Sequence, residues 1–238
     1  MEVLPDEVLL GIFEFYLDSL KKTENRVVGT EGCKSLVHVC RRWRSIVFGS
    51  PRRLDLQLAC TGGTLDIWPA FPLVVKGLMT ISGMDNIVAA LGQTNRVSQV
   101  DLASNRLQLE KVLAVMQVPF PELTDLRLSA LSKGDTSPFI PDTFLGGSAL
   151  RLRILSLDNI FFPKLPKLLL SATQLVEVFL NLGCFSPESI VASLSVLSSL
   201  ESLKLNLRWF FSPPIPSIPP PKRSILPALV KFHFKGQI

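Results

Sequence analysis

One tyrosine, two histidines and four cysteines in 238 residues leave little material for chemistry. The spacing Cys33-x4-His38-x-Cys40 hints at a metal, but no fourth ligand follows, so neither metal nor cofactor is expected. Cys33, Cys40, Cys60 and Cys184 show no paired spacing, and three of them fall inside apolar patterns. That pattern predicts buried free thiols in a reducing compartment rather than a disulfide framework. No glycine-rich phosphate loop followed by Lys-Ser/Thr and no Gly-x-Ser-x-Gly elbow occurs, which removes the nucleotide-binding and serine-hydrolase readings. Charged residues make up only 19% and apolar residues 47%. Yet no apolar run reaches the roughly 18 residues of a spanning helix, and the closest, Phe71 to Ile81, is interrupted by Lys76 and Gly77. The N-terminus is acidic and lacks the basic start of a signal peptide. The expectation is a soluble, intracellular protein, cytoplasmic or nuclear, that is not an enzyme.

What is present begins with two amphipathic segments. Pro5 suits the first turn of a helix, and Asp6 and Glu7 suit the positive end of its dipole. Val8, Leu9, Ile12, Phe13, Tyr16 and Leu17 then recur at helical spacing. After the polar stretch Asp18 to Glu31, the residues Leu36, Val39, Cys40, Trp43, Ile46 and Val47 form a second stripe, which predicts one continuous helix. Arg41, Arg42, Arg44, Arg52 and Arg53 make a basic cluster in a chain of net charge +5. Such a cluster suits an acidic protein partner or nucleic acid.

Leu4-Pro5-x-Glu7 leading into an apolar helix that ends at Leu17, then Leu36-x-x-Val39-Cys40-Arg41-x-Trp43-Arg44, resembles an F-box. The continuation Ser50-Pro51-Arg52-Arg53-Leu54 is similar to large fungal F-box families. The stretch joining the two halves is longer and more polar than in a compact F-box. The resemblance covers about the first fifth of the chain and implies binding to a Skp-type adaptor and through it to a cullin–RING ubiquitin ligase. The adaptor-binding residues it implies are Leu4, Pro5, Glu7, Leu9, Ile12, Val39, Cys40 and Trp43.

The remainder repeats. Leu-x-x-Leu-x-Leu, the strand signature of leucine-rich repeats, occurs six times when Val, Ile or Phe may stand for Leu. The triplets are Val97/Val100/Leu102, Leu123/Leu126/Leu128, Leu152/Leu155/Leu157, Leu175/Val178/Leu180, Leu200/Leu203/Leu205 and Leu229/Phe232/Phe234. Their middle residues step by 26, 29, 23, 25 and 29, inside the repeat's usual range of about 20–29. Weaker strands are expected at Leu54/Leu56/Leu58 and at Leu78 to Ile81. Helices are expected at Asp85 to Leu91, Leu109 to Met116, Pro166 to Ser171 and after Ser186-Pro187-Glu188. Only Asn105 holds the repeat's usual asparagine position. Residues 212–223 form a proline-rich insertion with polyproline II character and Pro-x-x-Pro spacings. The chain stops just after an apolar strand without a capping sequence, which suggests either truncation or a last strand that meets a partner.

The predicted class is α/β: F-box-like helices over residues 1–50, then a leucine-rich-repeat solenoid over 51–238, with parallel strands on its concave face and helices on its convex face. The predicted function is a ubiquitin-ligase substrate receptor that holds the adaptor through its helices and an unknown target through its repeats. Strand alternation puts Gln99, Asp101, Asp125, Arg127, Arg153, Ser156, Glu177, Phe179, Ser202 and Lys204 on the target-binding face. The alternatives are a repeat scaffold or inhibitor without ubiquitin chemistry and, ranked last, a basic nucleic-acid module. No membrane partner is expected.

Overall fold

A computed structural model of the chain describes residues 4–24, 35–50, 53–54, 58–60, 71–78, 84–131, 137–163, 165–183, 193–208 and 226–236. Predicted features at Ser186 to Glu188, Cys33, Cys184 and the proline-rich insertion lie outside these residues.

The α/β expectation holds. Eight strands form one all-parallel sheet whose spatial order is the chain order: β1 (Leu58–Cys60), β2 (Leu73–Leu78), β3 (Val97–Ser104), β4 (Asp125–Ala130), β5 (Ile154–Asp158), β6 (Glu177–Gly183), β7 (Ser202–Arg208) and β8 (Lys231–Gly236). The helices are α1 (Asp6–Glu24), α2 (Arg41–Gly49), α3 (Met84–Leu91), α4 (Arg106–Val115) and α5 (Leu165–Ser171). A short helical turn spans Phe144–Gly147.

The register follows the sequence triplets. Val100, Leu126, Leu155, Val178, Leu203 and Phe232 lie side by side across six strands, and Leu102, Leu128, Leu157, Leu180, Leu205 and Phe234 form the next row. Each strand alternates, with these residues buried as far as β7 and their neighbours half-buried or exposed. From β3 to β7 one face of the sheet therefore carries the core and the other is open, whereas at β2 the outward-row Val74 is buried as well. Helix α3 packs against β1 and β2, and α4 against β3. Asn105 caps α4 by accepting a bond from Gln108 N at 3.0 Å. Leu109, Val112, Leu113 and Met116 then turn inward. The backbone repeats as well: Thr124, Arg153, Val176, Glu201 and Val230 each donate an N–H to the corresponding carbonyl of the preceding strand entry, at 2.8–2.9 Å.

The first two strands differ from expectation. Leu54 lies in a turn, β1 is described over Leu58–Cys60 and β2 over Leu73–Leu78, while Leu56 and residues 79–81 of the two expected strands lie outside the described residues. Val75 is the partner of Val100, a step of 25 residues. The β-branched pair Val74-Val75 is buried together with Leu73, which draws the strand toward the start of the apolar run. A register shift between Leu73 and Val74 accommodates the difference.

The second N-terminal segment also differs. It is not one helix: residues 35–37 are helical, the chain turns at 38–39, and α2 starts after Cys40, which is extended at φ −158° and ψ 169°. The Cys40 Sγ accepts a bond from Trp43 N at 3.4 Å, so Cys40 is an exposed cap rather than a buried thiol. A single core cluster includes Leu9, Leu10, Phe13, Leu17, Leu36, Val37 and Val47 together with the sheet's inward residues. Phe48 of α2 meets Phe71, just before β2, edge-on at 5.6 Å.

At the other end the core is uncovered. Phe232 and Phe234 continue the two buried rows but are 61% and 53% exposed. Among the described residues, no helix is long and apolar enough to cross a membrane.

Candidate functional site

Two surfaces gather the predicted site residues. The first is the outward side of α1. Leu9, Leu10, Phe13 and Leu17 point inward, whereas Leu4, Val8, Ile12 and Phe15 stand exposed. Spacings of four and three put Val8, Ile12 and Phe15 on one face of α1, and Leu4 precedes the helix. Phe15 is 79% exposed and Ile12 48%. Val39, in the turn before α2, is exposed as well. The inward face thus differs by a phase step from the predicted stripe, which put Val8 and Ile12 inside. The unbroken run Val8-Leu9-Leu10 permits either phase, and packing against α2 selects the one that contains Leu10.

Of the residues predicted to bind an adaptor, Leu4, Pro5, Ile12, Val39 and Cys40 are exposed. Leu9 is buried in the chain's own core. Trp43 is half-buried, its ring tilted at 60° against Phe13 with centroids 4.7 Å apart. Glu7 is paired with Arg53, whose Nη1 donates to Glu7 Oε2 and whose Nε donates to Glu14 Oε1 at 2.7 Å. These two hydrogen bonds, Glu7 first, raise the Arg53 pKa above the ordinary arginine value. Arg42 donates to the Leu4 carbonyl and to the Asp6 carboxylate, and Arg44 Nε donates to the Val37 carbonyl at 3.1 Å. Three of the five clustered arginines therefore act as ties within the N-terminal unit, which weakens the phosphate-binding reading of that cluster.

The second surface is the open face of the sheet. Gln99, Asp101, Asp125, Arg127, Ser156, Glu177, Phe179, Ser202 and Lys204 all lie on it, in two adjoining rows. Arg153 does not. It belongs to the row of backbone donors just before the strands, and the place assigned to it is held by Ile154, the register partner of Asp125 and Glu177. The apolar character of Ile154 hid it, although counting two residues on from each triplet's first leucine finds it.

A concavity of about 200 Å³ opens between β4 and β7, walled by Arg127, Ile154, Ser156, Glu177, Phe179 and Lys204. The Lys204 ammonium sits 4.9 Å from the Phe179 ring centroid, a cation–π arrangement. A third row, missed in the sequence, holds Ser129, Asp158 and Asn181. Asp158 accepts from Ser129 Oγ at 3.2 Å and from Asn181 Nδ2 at 2.6 Å, which fixes its carboxylate. Among the described residues, no group of three potential metal ligands occurs. No family model, curated protein or solved structure matches this chain.

Proposed function

We propose that the chain is a substrate-receptor subunit of a Skp–cullin–F-box type ubiquitin ligase, with F-box-like helices joined to a leucine-rich-repeat solenoid. The observation that carries the reading is the uncovered apolar face of α1, Val8, Ile12 and Phe15, with Leu4 just before the helix and Val39 also exposed. Large apolar side chains exposed together mark a surface awaiting a partner. Four of them, Leu4, Val8, Ile12 and Val39, belong to the F-box-like pattern. The open face of the sheet would hold the target. Catalysis would come from proximity: a target lysine held near a charged ubiquitin carrier reacts as if at high local concentration, while this chain makes and breaks no bond.

The test is a pull-down of the purified chain with a Skp-type adaptor, using Leu4→Ala/Ile12→Ala as the control. Binding lost in a variant with an unchanged circular dichroism spectrum is the expected result. A well-folded wild type that does not bind the adaptor overturns the reading. The second reading, a repeat scaffold without ubiquitin chemistry, is favoured by the internal use of Glu7 and Leu9, since motif residues that serve the chain's own packing need no adaptor.

A further inference from the structure

The three rows of the open face divide charge unevenly. On β3 to β6 the acids Asp101, Asp125, Glu177 and Asp158 accompany the single base Arg127. On β7 and β8 the three rows hold Lys204, Lys231, His233 and Lys235 beside Ser202 and Asn206, with no acid. The basic end adjoins the concavity, because Lys204 belongs to both. Within the concavity, Ile154 and Phe179 present apolar surface. Glu177 lines it too, so its carboxylate repels an anion from the interior and favours an apolar group as the one that enters.

We infer that the open face recognises an acidic peptide segment laid across the strands, with one apolar side chain in the concavity and carboxylates over Lys204, Lys231 and Lys235. This deepens the proposed function by naming the chemistry of the target, and it rests on the open face being the target-binding surface. The spacing follows from the sheet. Strand β7 lies about 4.8 Å from β6, and β8 about twice that. An extended peptide advances about 3.3 Å per residue, so its acids belong one to three positions from the apolar residue. Opposite charges across the contact give specificity and speed association, and the apolar side chain supplies burial.

The test is a fluorescence-polarisation titration of the full chain with a short labelled peptide that has a central leucine flanked on both sides by glutamates. Controls replace the glutamates by lysines or the leucine by glycine. The glutamate–leucine peptide should bind best and weaken as salt rises. Lys204→Glu/Lys231→Glu should lower its affinity about tenfold or more, and Phe179→Ala should cost several-fold with the salt dependence kept. Equal binding of the lysine peptide, or no change in the double variant, overturns the proposal. So does tighter binding of a uridylate RNA oligomer. The adaptor pull-down on the same preparations separates the two ideas: adaptor bound without peptide sinks only the acidic-target inference, and peptide bound without adaptor leaves it standing on a scaffold.

Discussion

Alanine at two adjacent positions of α1 should have opposite consequences. Phe13 is fully buried against Trp43, while Ile12, one residue earlier, is about half exposed. Phe13→Ala removes a buried ring, its aromatic contact and the packing between α1 and α2. Such truncations cost about 3–5 kcal/mol, of which the aromatic pair accounts for about 0.5–1.5. Ile12→Ala removes three carbons, worth about 0.8 kcal/mol each when fully buried and about half that here. Alanine's better helix propensity returns a few tenths, which leaves a loss of under about 1 kcal/mol. Urea titration followed by circular dichroism measures both. The proposed function adds a second axis: Ile12→Ala should weaken adaptor binding while the fold persists, whereas Phe13→Ala should weaken it only through unfolding. Equal destabilisation by the two changes would refute the inward phase assigned to α1.

Two further changes probe local geometry. Gly146→Ala puts a Cβ at a φ of +65° and 2.7 Å from Pro119 Cγ, so it should destabilise by about 1–3 kcal/mol, whereas Gly147→Ala at φ +75° meets open space and should cost about 1–2 kcal/mol; thermal melts that rank Gly147→Ala as the worse contradict the clash. Asn105→Ala removes the side-chain cap of α4 and should cost about 1 kcal/mol, with amide exchange quickened first at Gln108; unchanged exchange there argues against the cap.

The triplets of the repeat were readable because each strand repeats one environment. A residue facing the core must be apolar in every repeat, so the period appears in the letters themselves. Six strands and their mutual register follow from that rule, from Val97/Val100/Leu102 to Leu229/Phe232/Phe234. The same rule misled at the ends. Leu78 matched the pattern in isolation, but Val75 pairs with Val100 because the buried run begins at Leu73. Arg153 was placed by polarity, although the ladder puts Ile154 there. Cys40 was placed by period in a helix that the backbone interrupts.

Features that depend on neighbours along the chain are written in the residues themselves. They include the α/β class, the strand period, the helices near Met84, Arg106 and Leu165, and the alternation that separates a core face from an open face. Features that depend on partners far away in sequence emerge on folding. Arg42 and Arg53 became ties to Asp6, Glu7 and Glu14. One of two possible phases of α1 turned inward, leaving Val8, Ile12 and Phe15 outside. Lys204 came to rest over Phe179 beside a basic sheet end. Periodicity reports how often a residue meets the core, but not which side chain waits across the gap, and the candidate surfaces are made of those long-range meetings.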